Sequence, residues 1–284
     1  MGSISRKLNK RFARRGYAPP SDIDFEKEVP PPHVLEMRGY DPLHAGYVSA
    51  QNFVSVFSEL GTEFPELDEY ATIVAQAEEE YLPGGPPHSP ITSSHFTTWA
   101  FFDLQFGPDN ETLGTCLLSL TDFFPESPLR NVVQLFHNTR MGIYQVTGKE
   151  AGKVILRELL THAQYPCLLP TGYDARPGEL LYTRLCPPYE DDFGYYVAFT
   201  SPYVLINYTA DDWTAYLRRT LIHATIDNFE QELHQLMKFG PSRHYWNEFI
   251  FEAYHHHQDD AIFLTGLPDV KGSLPHADLD DMEG

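Results

Sequence analysis

Cysteine is scarce in this chain. Cys116, Cys167 and Cys186 are three among 284 residues, an odd number with no Cys-x-x-Cys spacing. That argues against a disulfide framework or a zinc ribbon, and a reducing compartment is expected. Long apolar runs are missing as well. No stretch approaches the ~20 residues of a bilayer-spanning helix, and the basic residues at the start have no apolar segment behind them, so no secretory signal is expected. Gly-x-Ser-x-Gly, the P-loop, the dinucleotide glycine fingerprint and His-Glu-x-x-His are all absent, so no reaction is identified by motif. A soluble, cytoplasmic protein is the expectation.

Cations are scarce too, except at one end. The first fifteen residues carry Arg6, Lys7, Lys10, Arg11, Arg14 and Arg15 and no acid, which leaves 14 basic against 40 acidic residues in the rest, a formal −26. A body of that charge is soluble and repels polyanions. Polyanion binding therefore falls to the six cations of the arm, in contact with nucleic acid or with an acidic surface, this protein's own included. Ser5 to Arg15 can form a short helix with Leu8 and Phe12 on one face. Its readings are a polyanion-binding arm, a weak anchor on an anionic membrane, or a frayed tail, since so short a helix is marginal in water.

What is present describes a well-packed body: 42% of residues are apolar and 14% aromatic, ample for a core in one or two domains. After the basic arm (1–16), a proline-rich linker covers 17–42, with Pro19, Pro20, Pro30, Pro31 and Pro32. Residues 43–137 read as helical. Phe53, Val56, Phe57 and Leu60, and then Leu67, Tyr70, Ile73, Val74 and Ala77, recur at helical spacing, and Pro83-Gly84-Gly85-Pro86-Pro87 breaks the chain. Asp103, an isolated acid in the aromatic run Trp99–Phe106, is expected to cap a helix or join a salt bridge.

Across 138–207 the period becomes strand-like: Gly142–Val146, Val154–Leu159, Tyr165–Leu169, Glu179–Leu185 and Tyr195–Thr200, separated by glycines. Five short strands fit a small barrel of the SH3-like or OB type. Residues 208–270 turn helical again. Thr209-Ala210-Asp211-Asp212 opens a helix of some 28 residues that ends near Gly240-Pro241, and Ser242 can cap the next. An acidic tail fills 271–284.

Two segments together resemble a family. Trp99-Ala100-Phe101-Phe102-Asp103 with Thr112-Leu113, then Gly142-Ile143-Tyr144-Gln145-Val146, Leu156-Arg157-Glu158-Leu159 and Pro177-Gly178-Glu179-Leu180-Leu181-Tyr182, are similar to uncharacterised bacterial proteins in which a helical element precedes a small barrel. The resemblance spans about residues 95–205 and implies the architecture only. Some members carry a cysteine-rich SEC-C zinc motif, which is absent from this sequence.

Candidate metal ligands gather near the C-terminus. On one helix, His223, Asp227, Glu230 and His234 would form a stripe. On the next, His244, Glu248, Glu252 and His255 would form another, with the Glu-x-x-His spacing of di-metal carboxylate bundles. If the two helices were antiparallel neighbours, facing stripes would hold a dinuclear centre for hydrolysis or oxidation. The alternative is a pair of solvated faces opposite Trp246, Phe249, Ile250 and Ala253. His255-His256-His257, read as helix, points in three directions and cannot converge on one ion. Cys186 reads as a packing residue.

The sequence thus predicts an α+β protein: an N-terminal helical region, a central five-stranded barrel and a C-terminal helical hairpin. The leading expectation for function is a non-enzymatic binding or regulatory protein with a protein partner and no small-molecule cofactor. A metal-dependent enzyme and a nucleic-acid-binding barrel are the alternatives, the former needing a divalent ion.

Overall fold

The computed structural model describes residues 1–15, 25–61, 63–82 and 89–277. The first part of the proline-rich linker, the Pro83–Pro87 break and the acidic residues from Asp278 lie outside the described residues. The chain divides into two compact units. One comprises Met1–Glu80, Phe96–Thr139 and Pro188–Phe193; the other comprises Tyr81–His95, Arg140–Pro187 and Gly194–Gly284.

The first unit is helical. Its elements are α1 (Ser3–Arg15), α2 (Phe25–Glu28), α3 (Pro32–Met37), α4 (Pro42–Gly61) and α5 (Asp68–Tyr81). Then come α6 (Ser93–Thr98), whose first three residues belong to the second unit, a π-helical turn at Trp99–Asp103, α7 (Leu113–Ser119) and α8 (Pro128–Asn138). Two sequence expectations change here. The basic arm is not a tail: Leu8 has no exposed surface, Ile4 and Phe12 are buried, and α1 packs against α7 and the 3-10 turn at Pro65–Leu67. The linker is helical in part, because Pro32 sits in the first turn of α3, where its fixed φ and missing N–H cost nothing. Asp103 is buried at the end of the π turn, which the Leu104 N–H closes on the Trp99 carbonyl at 2.8 Å.

The second unit holds the barrel. Its strands are β1 (Met141–Glu150), β2 (Lys153–Glu158), β3 (Gln164–Leu168), β4 (Leu180–Cys186), β5 (Tyr196–Ala198) and β6 (Tyr203–Ile206). β1, β2, β3, β5 and β4 follow in that order, and β4 pairs back to β1, closing five strands. β3 and β5 are parallel; the other pairs in the ring are antiparallel. A parallel pair is foreign to a meandering SH3-like barrel and fits the Greek-key OB type. Ala151 and Gly152, both at positive φ, make the two-residue turn between β1 and β2. Alternate residues fill the interior: Tyr144 and Val146, Val154 and Leu156, Cys167, Leu181 and Leu185, and Ala198.

The C-terminal region departs from its expected form. α9 (Ala210–Thr220) and α10 (Phe229–Phe239) replace the single long helix, and α11 (Tyr245–Glu252) follows. The break has a local cause. Asn228 Oδ1 accepts from the Thr225 backbone N–H at 2.6 Å and from its hydroxyl at 3.0 Å, a side-chain arrangement that competes with helix. A continuous helix would also gain nothing from Ile222 and Ile226, which are exposed. α11 starts at Tyr245 with His244 rather than Ser242 at its N-cap.

The Trp246 indole N–H donates to the Leu236 carbonyl at 2.8 Å, tying α11 to α10 in a helical hairpin. β7 (Tyr254–His257) and β8 (Ile262–Thr265) then extend the sheet in the order β4-β6-β8-β7. Tyr182, on the outer side of β4, lies 5.1 Å from Trp246, and Trp213 of α9 lies 5.6 Å from Phe249. β4 is therefore buried on both faces, and the helices form a second apolar layer outside the barrel.

Candidate functional site

Four features of the described residues merit chemical scrutiny. The first is the basic face of α1. The helix begins at carboxylates supplied by a turn a hundred residues away. The Ser3 N–H donates to Asp109 Oδ2 at 2.6 Å, the Ile4 N–H to Glu111 Oε2 at 2.8 Å and the Ser5 N–H to Glu111 Oε1 at 3.1 Å. The Ser5 hydroxyl also donates to Glu111. Two acids thereby satisfy donors that any helix start leaves open, at the positive end of its dipole. The Ser3 N–H, first among its neighbours, holds the Asp109 carboxyl below its ordinary range.

With its apolar side seated, α1 turns its cations outward. Lys7, Lys10, Arg11 and Arg14 line a groove of about 330 Å³ together with Glu66. Arg11 is committed to Glu66, with Nε–H and Nη2–H each 2.9 Å from a carboxylate oxygen. Arg6, Lys7, Lys10 and Arg14 are exposed, and Arg15 is the last residue of the helix. The membrane-anchor reading loses its basis, because the face that would enter lipid already forms protein core.

The second feature is a groove of about 910 Å³ in the same unit, between α3, α4, the start of α8 and the segment Pro188–Phe193. Tyr189 and Phe193 form one wall, their rings 5.3 Å apart. The Tyr189 hydroxyl donates to the Pro42 carbonyl at 2.9 Å, and its ring lies where a side chain at Gly46 would have to go. Pro31, Pro32 and Pro128 stiffen the rest. Both aromatics lie in the connection between β4 and β5, and packing makes them a wall.

The third feature is the expected metal set, which does not assemble. His223 and Asp227 lie in the turns between α9 and α10, Glu230 and His234 on α10, His244, Glu248 and Glu252 at the cap and along α11, and His255 on β7. Breaking the long helix divides the first stripe, and the strand at Tyr254 takes His255 out of the second, leaving His244 at the N-cap and Glu248 and Glu252 along α11. Among the described residues no group of three or more His, Cys, Asp or Glu side chains converges as a metal centre. His234, half-buried against the barrel, is held neutral: burial first, then Lys238, Arg140 and Arg184, lower its pKa to about 4.

The fourth feature is a buried ion pair in the barrel unit. Arg140 Nη2–H donates to Glu158 Oε1 at 2.7 Å, and the Thr161 hydroxyl donates to Glu158 Oε2 at 2.6 Å. Tyr144 and Tyr165 lie beside it with rings 5.9 Å apart, and Tyr165 lies 4.9 Å from Tyr196. Both carboxylate oxygens are satisfied, and burial pushes the Tyr144 phenol far above its ordinary value. The arrangement is structural: it offers no nucleophile and no base facing open space.

The cysteines offer none either. None of the three is in a disulfide and all are buried, and burial raises the Cys116 thiol to about 12 and Cys167 further, so neither of these two is a thiolate near neutrality. No helix among the described residues is long and apolar enough to cross a membrane. No family model, curated protein or solved structure matches the chain.

Proposed function

We propose that this is a non-enzymatic binding or regulatory protein of the cytoplasm, engaging a macromolecular partner through its helical and barrel surfaces, with the basic face of α1 as the contact for an acidic protein surface. The docking of α1 carries this reading. Cations on a frayed tail bind any polyanion weakly, whereas Lys7, Lys10 and Arg14 stand in fixed positions along one groove. Three buried cysteines, none in a disulfide, fit a reducing compartment. The proline- and tyrosine-walled groove in the same unit adds an apolar surface of the kind protein partners fill.

Single-stranded nucleic acid across the barrel is the second reading, favoured by the OB-type closure and by Lys153 Nζ, 4.1 Å above the Tyr195 ring. Against it stand Glu190, Asp191 and Asp192 in the β4–β5 connection, the loop that such barrels use for ligands.

The triple variant Lys7→Glu, Lys10→Glu, Arg14→Glu separates these readings. Its thermal midpoint should match wild type, because the three side chains are exposed. Retention on immobilised polyglutamate should fall at least about tenfold, and wild-type retention should weaken steeply between 50 and 200 mM salt, as at any charge-driven surface. Equal retention by variant and wild type would refute the α1 contact. Oligonucleotide binding that survives the triple variant and is lost in Lys153→Ala would transfer the function to the barrel.

A further inference from the structure

The histidine triplet lies on β7, the outermost strand of the extended sheet, rather than on a helix. Regular strand pairing would send His255 and His256 to opposite faces. The register with β8 prevents this: Tyr254 faces Leu264 while His256 faces Phe263, so His255 is an extra residue in a β-bulge. A bulge breaks the alternation and re-aims side chains. Here His255 Nδ1 and His256 Nδ1 stand 2.6 Å apart, with ring centroids at 4.9 Å. The His256 ring is stacked on Phe263, 4.3 Å away and 6° from parallel, which fixes its orientation. His257 is engaged elsewhere: its Nδ1 is 2.7 Å from the Tyr254 hydroxyl. All three histidines are exposed.

We propose that His255 and His256 form a bidentate surface site for a late first-row divalent ion, Cu²⁺ or Zn²⁺. Imidazole nitrogen is a preferred ligand of both. Two nitrogens on one ion at ~2.0–2.1 Å lie roughly 2.9–3.4 Å apart, so a small rotation of the His255 ring converts the observed pair into a chelate. Without metal, one Nδ1–H donates to the other Nδ1; when the ion binds, that imidazole passes its proton through solvent to its own Nε2, so both Nδ1 lone pairs face the metal. No third His, Cys, Asp or Glu completes the set among the described residues. The ion therefore keeps open positions for water or for a ligand group from a binding partner, and affinity follows Cu²⁺ above Zn²⁺.

The test uses the full-length chain without a histidine tag, titrated with Cu²⁺ and with Zn²⁺ by calorimetry and, for Cu²⁺, by electron paramagnetic resonance. One ion per chain is expected, with a two-nitrogen hyperfine pattern. His255→Ala and His256→Ala should each weaken binding at least about tenfold, and His257→Ala by less than about twofold. The site is refuted if neither ion binds, if copper shows a single nitrogen, or if His255→Ala leaves affinity unchanged. A loss in His257→Ala equal to that in the other two would also overturn it, because the ion would then be held by the tract and not by the bulge.

Discussion

Replacing Glu111 by alanine is expected to destabilise the helical unit by about 3 kcal/mol and to open α1 to trypsin. Glu111 is 4% exposed and accepts from the Ile4 and Ser5 backbone N–H groups and from the Ser5 hydroxyl. Removing it strands two buried backbone donors, at ~1–3 kcal/mol each, and removes a charge that favours the helix N-terminus by ~0.3–1 kcal/mol. Burial of Ile4, Leu8 and Phe12 opposes release. A thirteen-residue helix is nonetheless marginal without tertiary support, so its capped end decides whether it stays seated.

The six cations of α1 make it its own reporter, since each is a trypsin site. At ~1.4 kcal/mol per factor of ten, cleavage within α1 should quicken on the order of 100-fold in Glu111→Ala and less in Glu111→Gln, which keeps one acceptor oxygen. Cleavage at the wild-type rate would show that α1 is held by its apolar face alone. The Glu111→Ala chain should also lose retention on polyglutamate, because undocked cations no longer share one groove.

Acid is expected to weaken the barrel unit well before it protonates the carboxylates. His95 is 3% exposed, with Nε2 3.2 Å from Asn247 Oδ1. Burial, helped by the charge of Arg184 and opposed by the Asn247 hydrogen bond, lowers its pKa to about 4. His234 is shifted the same way. Histidine in the unfolded chain titrates near ~6.5, so between about 6.5 and 4 the unfolded state binds protons that the folded state refuses. Stability is then fully present above that window and is lost as pH falls through it, on the order of 3 kcal/mol from His95 alone.

Glu66, Asp109, Asp174 and Asp212 have lowered pKa values. Their contribution is lost only at lower pH, as each protonates in the folded state. Denaturant melts at pH 7 and pH 4.5 should therefore differ by a few kcal/mol, and His95→Gln should remove a large part of the difference. A His95→Gln chain as acid-sensitive as wild type would move the effect to other groups.

Much of the barrel was legible from period and punctuation. Alternation at Tyr144 and Val146, then at Val154 and Leu156, marks a strand with one buried side, and Gly152 marks the turn between them. β4 was legible as a strand from the stretch Leu180–Leu185 after Gly178, and the structure buries it on both faces, Thr183 and Arg184 included. The C-terminal half misled because apolar spacing survives a broken helix. Leu221 and Ala224 continue the spacing of Trp213 and Leu217 in sequence, but the Thr225–Asn228 side-chain bonds hold a turn where the helix would run on. His255-His256-His257 followed α11 too closely to be told from its last turn; the pairing of β7 with β8 makes it strand.

By itself the sequence determined the α+β class, the five strands and their approximate bounds, the amphipathic character of α1 and the charge break at residue 15. These depend on local spacing and composition, which the chain carries wherever it folds. Tertiary structure alone decided that the barrel closes with β3 parallel to β5, that α1 is seated rather than tethered, and that the eight metal candidates form no group of three or more among the described residues while His255 and His256 meet. Each of these depends on groups distant in sequence or on a one-residue register shift. The carboxylate that holds α1 is more than a hundred residues from it, and nothing in the spacing of either segment names the other.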